Sequence, residues 1–295
     1  MISAKPTPTG IAASGWLSRD ALAHYRVWDS MYWPRQSGPE RSWITSFEAL
    51  LPQLDRFGIE RVCVDFPLGL DAATPDPLSA DESRKITEGL ERWPDRLLGF
   101  AVLNAAHPRS SLDHLDRWVK DGPMVGLLFP SSAHSLVCTD PKLDRIVTRA
   151  HQLGAVIMQH TWDKTGGKDS TGESTSADLA QLARRHPRIT FVCVHAGGEW
   201  EKGIRAVQDC PNVVVETSGF DPTAGFIEMA VRELGAARII YGGHLPSRSL
   251  GTELGKVLGA DISDADRRLI LGGNLRRLLR PILTRKGFPP EKIAP

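Results

Sequence analysis

The chain has 295 residues, enough for one large α/β domain or two small ones, and an ordinary hydrophobic fraction of 41%. Its 36 basic and 35 acidic residues leave a formal charge of +1, so neither nucleic acid nor an anionic membrane is expected as a partner. Four cysteines without a CxxC pair, and a beginning ("MISAKPTPTGIAASG") without the apolar core of a secretory signal, predict a cytoplasmic protein. No apolar run approaches membrane-spanning length.

After an irregular arm at residues 1–24, short apolar runs alternate with segments of helical periodicity. The eight runs are Arg26–Met31, Arg61–Phe66, Leu97–Asn104, Met124–Pro130, Ala155–His160, Ile189–His195, Val213–Ser218 and Arg238–His244. Repeated strand–helix units predict a parallel sheet covered by helices. Eight units, without a GxGxxG turn after the first, favour a closed (β/α)8 TIM barrel over an open doubly wound sheet. We predict an α/β fold with a single barrel domain at 25–283 and a tail at 284–295.

Polar residues occupy the ends of almost all the predicted strands. These ends are Asp29, Asp65, Asn104, Pro130, His160, His195, Glu216 and His244. Because a (β/α)8 barrel carries its chemistry at the C-terminal ends of its strands, three histidines are expected together at the barrel mouth. Asp29 and Asp65 have a second interpretation, as caps of the loops that follow their strands.

Several motifs together carry a family resemblance that extends from about Val27 to Leu279. The motifs are "RWPDRLLGFAVLNAAHP", "GPMVGLLFP", "VIMQH", "FVCVHAGG", "NVVVETSG", "IIYGGHLP" and "LILGGNLRRLL". In this order they resemble the amidohydrolase-related branch of the amidohydrolase superfamily. That branch contains metal-dependent hydrolases and decarboxylases similar to aminocarboxymuconate semialdehyde decarboxylase.

The resemblance implies a metal site whose ligand positions have changed in this chain. Members typically bind one divalent metal through an HxH pair after strand one, a His on strand five and an Asp on strand eight. Here the pair falls on Met31 and Trp33, the strand-five His is His160, and His244 replaces the Asp. The strand-six His, which in the family polarises or protonates substrate, is His195. We therefore expect the usual metal site to be largely lost.

One interpretation of these changes is a rebuilt metal site. His160, His195 and His244 would present three imidazoles to one zinc ion and leave a position for water. Asp29 or Glu216 would orient a histidine or accept a proton. One divalent metal ion, zinc, is the cofactor expected in this case.

Two other interpretations need no cofactor. In metal-free catalysis, His244 takes a proton, His195 polarises a carbonyl, and Arg248 binds a substrate carboxylate. In a catalytically inactive homologue, Trp33 and Trp162 line a pocket for a small molecule, and the protein acts as a binding or regulatory partner.

We adopt small-molecule hydrolase chemistry as the working prediction, with an ester, lactone or similar carbonyl substrate. His195 and His244 are the predicted catalytic residues, and Asp29, Glu216, Arg248, Trp33 and Trp162 the predicted binding residues. The alternatives are the inactive binding protein and a decarboxylase-like lyase. The resemblance also implies a homodimer. The polar loop Thr161–Ser176 is expected to be a mobile flap over the mouth.

Overall fold

The computed structural model describes residues 22–34, 43–67, 80–130, 136–164, 172–219 and 223–294. Most of the predicted N-terminal arm and part of the predicted flap lie outside these ranges. Among the described residues, no helix is long and apolar enough to cross a membrane.

Eight parallel strands form one sheet in which each strand pairs with its neighbours in sequence order. The strands are β1 Val27–Tyr32, β2 Ile59–Pro67, β3 Leu97–Val102, β4 Gly126–Phe129, β5 Val156–His160, β6 Phe191–Val194, β7 Val213–Glu216 and β8 Ile239–Ile240. The sheet closes because the Ser30 backbone N–H donates to the Tyr241 carbonyl at 3.1 Å, and the Trp33 N–H to the Leu245 carbonyl at 2.9 Å. The predicted (β/α)8 barrel is confirmed.

Helices cover the outside of the barrel and connect successive strands. They are α1 Trp43–Arg56, α2 Ala80–Arg92, α3 Pro108–His114, α4 Lys142–Gln152, α5 Ser176–Arg185, α6 Trp200–Ala206, α7 Phe226–Leu234, α8 Leu250–Leu258, α9 Asp264–Arg268 and α10 Asn274–Arg285. Wider π-helical turns follow α3 at Leu115–Lys120 and join α9 to α10 at Leu269–Gly273. The apolar faces of the covering helices pack on a continuous core of buried aliphatic and aromatic side chains.

Alternation along the strands decides which side chains point into the barrel. A Cβ on Gly99 would lie 2.9 Å from a side chain of α2, so Gly99 faces outward and Phe100 faces inward. Asp65 pairs with Phe100 in the register of β2 and β3 and therefore also faces inward. The next residue, Phe66, packs edge-on against Trp43 of α1 at 5.0 Å, as an outward residue should. The side chain of Asp65 consequently belongs to the barrel interior.

Asn274, the first residue of α10, holds the closing helix to the last strand. Its Nδ2 group donates to the carbonyls of Ala236 and Ile239, each at 2.7 Å, and the whole residue is buried. Because buried carbonyls without a donor are costly, these two bonds fix the start of β8. The position of β8 in turn decides where the residues after it enter the mouth.

The Asn274 anchor can be tested by its removal. Asn274→Ala should lower the free energy of unfolding by about 2 kcal/mol, because two buried carbonyls lose their donor. Gln208→Ala is the control, since it removes an exposed amide hydrogen bond to Glu233 and should change stability by less than about 0.5 kcal/mol. Urea unfolding measures both, and equal losses would contradict the anchoring role.

Candidate active site

Three imidazoles lie together at the C-terminal end of the barrel. The ring centroid of His195 is 4.8 Å from that of His160 and 5.1 Å from that of His244. The first pair is edge-to-face and the second is tilted by 39°. His160 ends β5, His195 follows β6, and His244 lies in the loop after β8. The structure thus brings together the three histidines that the sequence analysis selected.

His195 is the most tightly held of the three. Its Nδ1 lies 2.7 Å from the Ser218 carbonyl oxygen and 3.3 Å from Glu216 Oε2. A carbonyl oxygen is always a hydrogen-bond acceptor, and the Glu216 oxygen is one as well when Glu216 is ionised. Nδ1 therefore carries the proton. The neutral ring then has Nε2 as its basic nitrogen, and the carboxylate behind it fixes the orientation of the ring.

Glu216 is a buried carboxylate that links β7 to the ends of its neighbours. Oε2 accepts the His195 backbone N–H at 3.2 Å, and Oε1 accepts the Ser218 N–H at 2.9 Å. Burial raises the pKa of Glu216, but the interactions with His195 and Ser218 outweigh it, and the pKa lies below its usual value. A Cβ at Gly242 would overlap Oε1, so only glycine fits beside this carboxylate.

His160 and His244 differ from His195 because their Nδ1 atoms, although buried, have no hydrogen-bond partner among the described residues. Burial lowers the pKa of both, and repulsion by His195 lowers it further. The pKa of His160 lies well below its usual value, and that of His244 is about 4. Both rings are therefore neutral at neutral pH and can accept a proton or a hydrogen bond.

Backbone geometry also sets two of these histidines apart. Three non-glycine residues in the described ranges have positive φ, and two of them are His195 (63°) and His244 (49°). Such conformations are strained for residues with a Cβ and persist where the surrounding structure enforces them. The strain here occurs at the two predicted catalytic positions.

The predicted binding residues divide into those at the mouth and one that is elsewhere. Trp162 lies edge-on to His195, with ring centroids 5.8 Å apart, and Trp33 is half-buried after β1. Arg248 is also half-buried, and its Nη2 donates to the Gly219 carbonyl at 3.1 Å. Trp162 and Glu216 contact His195 directly, and Arg248 contacts the Gly219 carbonyl beside it.

Asp29 does not join the imidazoles. Its Oδ1 accepts the backbone N–H groups of Met31 at 3.0 Å and Gly243 at 2.7 Å. A Cβ on Gly243 would overlap Asp29 Oδ2 and lie 3.3 Å from Leu250 of α8, so this carboxyl group lies between the barrel wall and α8. In the structure Asp29 joins β1 to the loop after β8, and its predicted role in binding stays a prediction.

The side chains at the family's metal positions do not suit a hard divalent ion. Met31 is buried, with its sulfur 3.7 Å from Ser218 Oγ, and a thioether favours soft metals. The indole of Trp33 offers only an N–H donor. In the part of the chain that the structure describes, no three His, Cys, Asp or Glu side chains are placed to hold one metal ion. Zinc bound by the three histidines therefore stays a prediction.

The base of the predicted flap is packed structure. The Trp162 N–H donates to the Ser174 carbonyl at 2.8 Å, and Ser174 Oγ accepts the Cys138 N–H at 2.9 Å. Lys164 and Glu173 form an ion pair at 3.2 Å across the two stems. Residues 165–171, the remainder of the loop, lie outside the described residues.

Comparison with known proteins identifies the family. The amidohydrolase family profile matches residues 23–280, which is most of the chain. The chain belongs to this amidohydrolase family. No curated protein matches it by sequence.

Solved structures that resemble this amidohydrolase-family barrel include several decarboxylases. The 2,6-dihydroxybenzoate decarboxylase from Rhizobium has a TM-score of 0.67 at 18% identity, over 86% of this chain and 98% of that one. The 5-carboxyvanillate decarboxylase from Sphingomonas paucimobilis has a TM-score of 0.65 at 14% identity, over 87% and 99%. A dihydroxybenzoic acid decarboxylase from Polaromonas, solved with manganese and 2-nitroresorcinol, has a TM-score of 0.67 at 18% identity, over 88% and 97%. At identities this low, the structural similarity establishes a shared fold and nothing more.

Sequence reasoning missed two features of this site. Gly219 and Gly242 lie so close to the side chains of His195 and Glu216 that only glycine fits at either position. No local sequence pattern reveals this requirement for glycine. Asp65, interpreted as a possible loop cap, makes no hydrogen bond within the described residues. Its position directly at a strand end was the available signal.

A matched pair of glycines tests how tightly His195 is enclosed. Gly219 and Gly225 have φ of +98° and +93°, so alanine is similarly strained at both. A Cβ at Gly219 would overlap the His195 ring, whereas at Gly225 it meets nothing within 4 Å. Gly219→Ala should therefore cost at least about 1 kcal/mol more in urea unfolding than Gly225→Ala and shift the His195 imidazole NMR signals. Equal costs and unshifted signals would show that the ring is loosely held.

The lowered pKa of His244 predicts a pH dependence of stability. An unfolded histidine takes up its proton near pH 6.5, but folded His244 does so near pH 4. Between these values the unfolded chain binds more protons, so this contribution to stability is complete above pH 6.5 and is lost as the pH falls toward 4. In thermal melts, His244→Gln should lose less stability than the wild type over this window. An unchanged slope would contradict a neutral, enclosed His244.

Proposed function

We propose that the barrel mouth is the active site of a small-molecule hydrolase for activated esters or lactones, with His195 as general base. The observation that carries the proposal is the anchoring of His195 Nδ1 by the Ser218 carbonyl at 2.7 Å and by Glu216 at 3.3 Å. A histidine base oriented through Nδ1 by a buried carboxylate is the arrangement that activates water for attack on a carbonyl.

The proton transfers follow from this arrangement. His195 Nε2 accepts a proton from water as the water oxygen bonds to the substrate carbonyl carbon. The ionised Glu216 behind the ring stabilises the imidazolium that forms. The proton then passes from Nε2 to the departing alkoxide, and the ring returns to its neutral form. No step in this sequence requires a metal ion.

The surroundings of His195 support a small, partly aromatic substrate. Trp33 and Trp162 supply flat apolar surface, and the neutral His244 lies beside His195 to direct water or a carbonyl group. Arg248, whose Nη2 donates to the Gly219 carbonyl, carries the kind of guanidinium group that binds a substrate carboxylate. A cytoplasmic location and a homodimer remain parts of the proposal without direct support in the fold.

A decarboxylase-like lyase is the second candidate function. It is favoured by the decarboxylases among the structures of similar fold, at TM-scores of 0.65 to 0.67. In that reaction a site group would protonate the carbon that loses the carboxyl group, and Arg248 would hold the carboxylate. The manganese of the Polaromonas structure belongs to that protein, and Met31 and Trp33 weaken the case for the same ion here. A zinc ion on the three histidines, and an inactive binding protein, are the remaining alternatives.

Product analysis separates these functions. Purified protein, with and without chelator or added zinc and manganese, is incubated with aryl esters and lactones, and separately with 2,6-dihydroxybenzoate and 5-carboxyvanillate. We expect acid release from an ester or lactone that survives the chelator. Carbon dioxide release would establish the lyase, metal-dependent turnover would establish a rebuilt metal site, and a ligand retained unchanged would establish a binding protein.

Variants assign the base. His195→Asn should lower kcat by at least about 100-fold, the usual contribution of a positioned base. Glu216→Gln should lower kcat less, because the ring remains but its imidazolium loses the carboxylate. His151→Asn, on the exposed face of α4, is the control and should match the wild type. Full activity of His195→Asn would refute the mechanism.

A further inference from the structure

Asp65 has a buried carboxyl group that faces the barrel interior and has no hydrogen-bond partner among the described residues. It pairs with the inward-facing Phe100 and lies two residues before Pro67, the last residue of β2. The residue has no exposed surface, and neither Oδ1 nor Oδ2 has a hydrogen-bond partner among the described residues. Because buried polar atoms are nearly always hydrogen-bonded, a side chain with both oxygens unpaired calls for a specific explanation.

Asp29 shows what a structural buried acid looks like in the same barrel. It is equally buried, and its Oδ2 also has no hydrogen-bond partner among the described residues, but its Oδ1 accepts two backbone N–H groups, from Met31 and Gly243. Those bonds join two segments of the fold. The side chain of Asp65 joins no two segments within the described residues, so its burial does not contribute to the fold in this way. Burial of an unsatisfied polar group lowers stability, and no contact among those residues offsets the loss.

Burial and neighbouring acids keep the carboxyl group of Asp65 neutral. Burial raises the pKa of Asp65 well above its usual value, and the nearby carboxyl groups of Glu216 on β7 and Asp29 on β1 raise it further. Among the described residues, no cation lowers the pKa of Asp65.

Ser30 Oγ on β1 is a second buried interior atom without a partner among these residues, and a Cβ at Gly242 would lie 3.0 Å from it. The same Cβ would overlap Glu216, so Ser30 is close to the carboxylate that holds His195.

From this placement we infer that Asp65 is a neutral carboxylic acid that donates a hydrogen bond to an acceptor oxygen of the bound small molecule. A protonated carboxyl group offers one O–H donor, which an ionised one lacks. Such a donor in a water-poor interior suits a carbonyl, carboxylate or phenolate oxygen. The inference rests on the proposed function, since it assumes that the ligand enters the mouth above Glu216, and it narrows the ligand to one that carries such an oxygen at its inner end.

Two variants of Asp65 distinguish a donor from a passive residue. Asp65→Asn keeps a donor of nearly the same shape, whereas Asp65→Leu removes it. With 2,6-dihydroxybenzoate as the probe in titration calorimetry, Asp65→Leu should weaken binding by about 10-fold, the value of one hydrogen bond, and Asp65→Asn by less than about 3-fold. Asp65→Leu should leave the melting temperature unchanged or raised, because it removes unsatisfied polar atoms, whereas Asp29→Leu should lower it.

Infrared spectroscopy gives a readout that needs no ligand. At neutral pH the difference spectrum between the wild type and Asp65→Asn should contain the carbonyl stretch of a protonated carboxyl group, since the other protonated acids of the protein contribute equally to both spectra. The inference is overturned if this band is missing, if Asp65→Leu binds the probe as the wild type does, or if Asp65→Leu is destabilised as strongly as Asp29→Leu. Failure of the proposed hydrolase would appear separately, as no ester or lactone turnover while the band and the probe binding behave as expected.

Discussion

The contact between the Glu216 carboxylate and His195 is the interaction on which the rest of this barrel mouth depends. Glu216 accepts backbone N–H groups from His195 and Ser218, so one side chain joins the ends of β6 and β7 and also orients an imidazole. A carboxylate buried this completely is stable only if its oxygens are satisfied. The chain also passes so close to Oε1 at Gly242 that any side chain there would overlap it.

Buried acids in this barrel are of two kinds, and the difference separates folding from function. Glu216 and Asp29 each receive two or more hydrogen bonds, and each connects segments that are distant in sequence. Asp65 receives none among the described residues and lies in an interior that already contains the carboxylate of Glu216. Proteins retain such unfavourable groups mainly where a ligand supplies the missing partner.

The relation to the amidohydrolase family is one of a shared scaffold. The family profile spans 23–280, and barrels of the same fold superpose at 14–18% identity. At the positions where the sequence resemblance predicts metal ligands, this chain has a thioether, an indole and two imidazoles. His160 and His244 are neutral because they are buried beside another histidine, which makes them acceptors of protons or of hydrogen bonds.

The sequence by itself determined the barrel and the group of three histidines. Eight apolar runs separated by amphipathic segments have few other ways to bury their surfaces, and parallel strands bring all their C-terminal ends to one face. It also located Glu216, because an acid at a strand end stands out in an apolar run. Tertiary structure decided what these residues do. Asp29 and Asp65 occupy similar strand-end positions in the sequence, yet only the closure of β1 against the loop after β8 gives Asp29 its two N–H partners. Only the strand register turns Asp65 inward, because a shift of one residue exchanges the two faces of a strand.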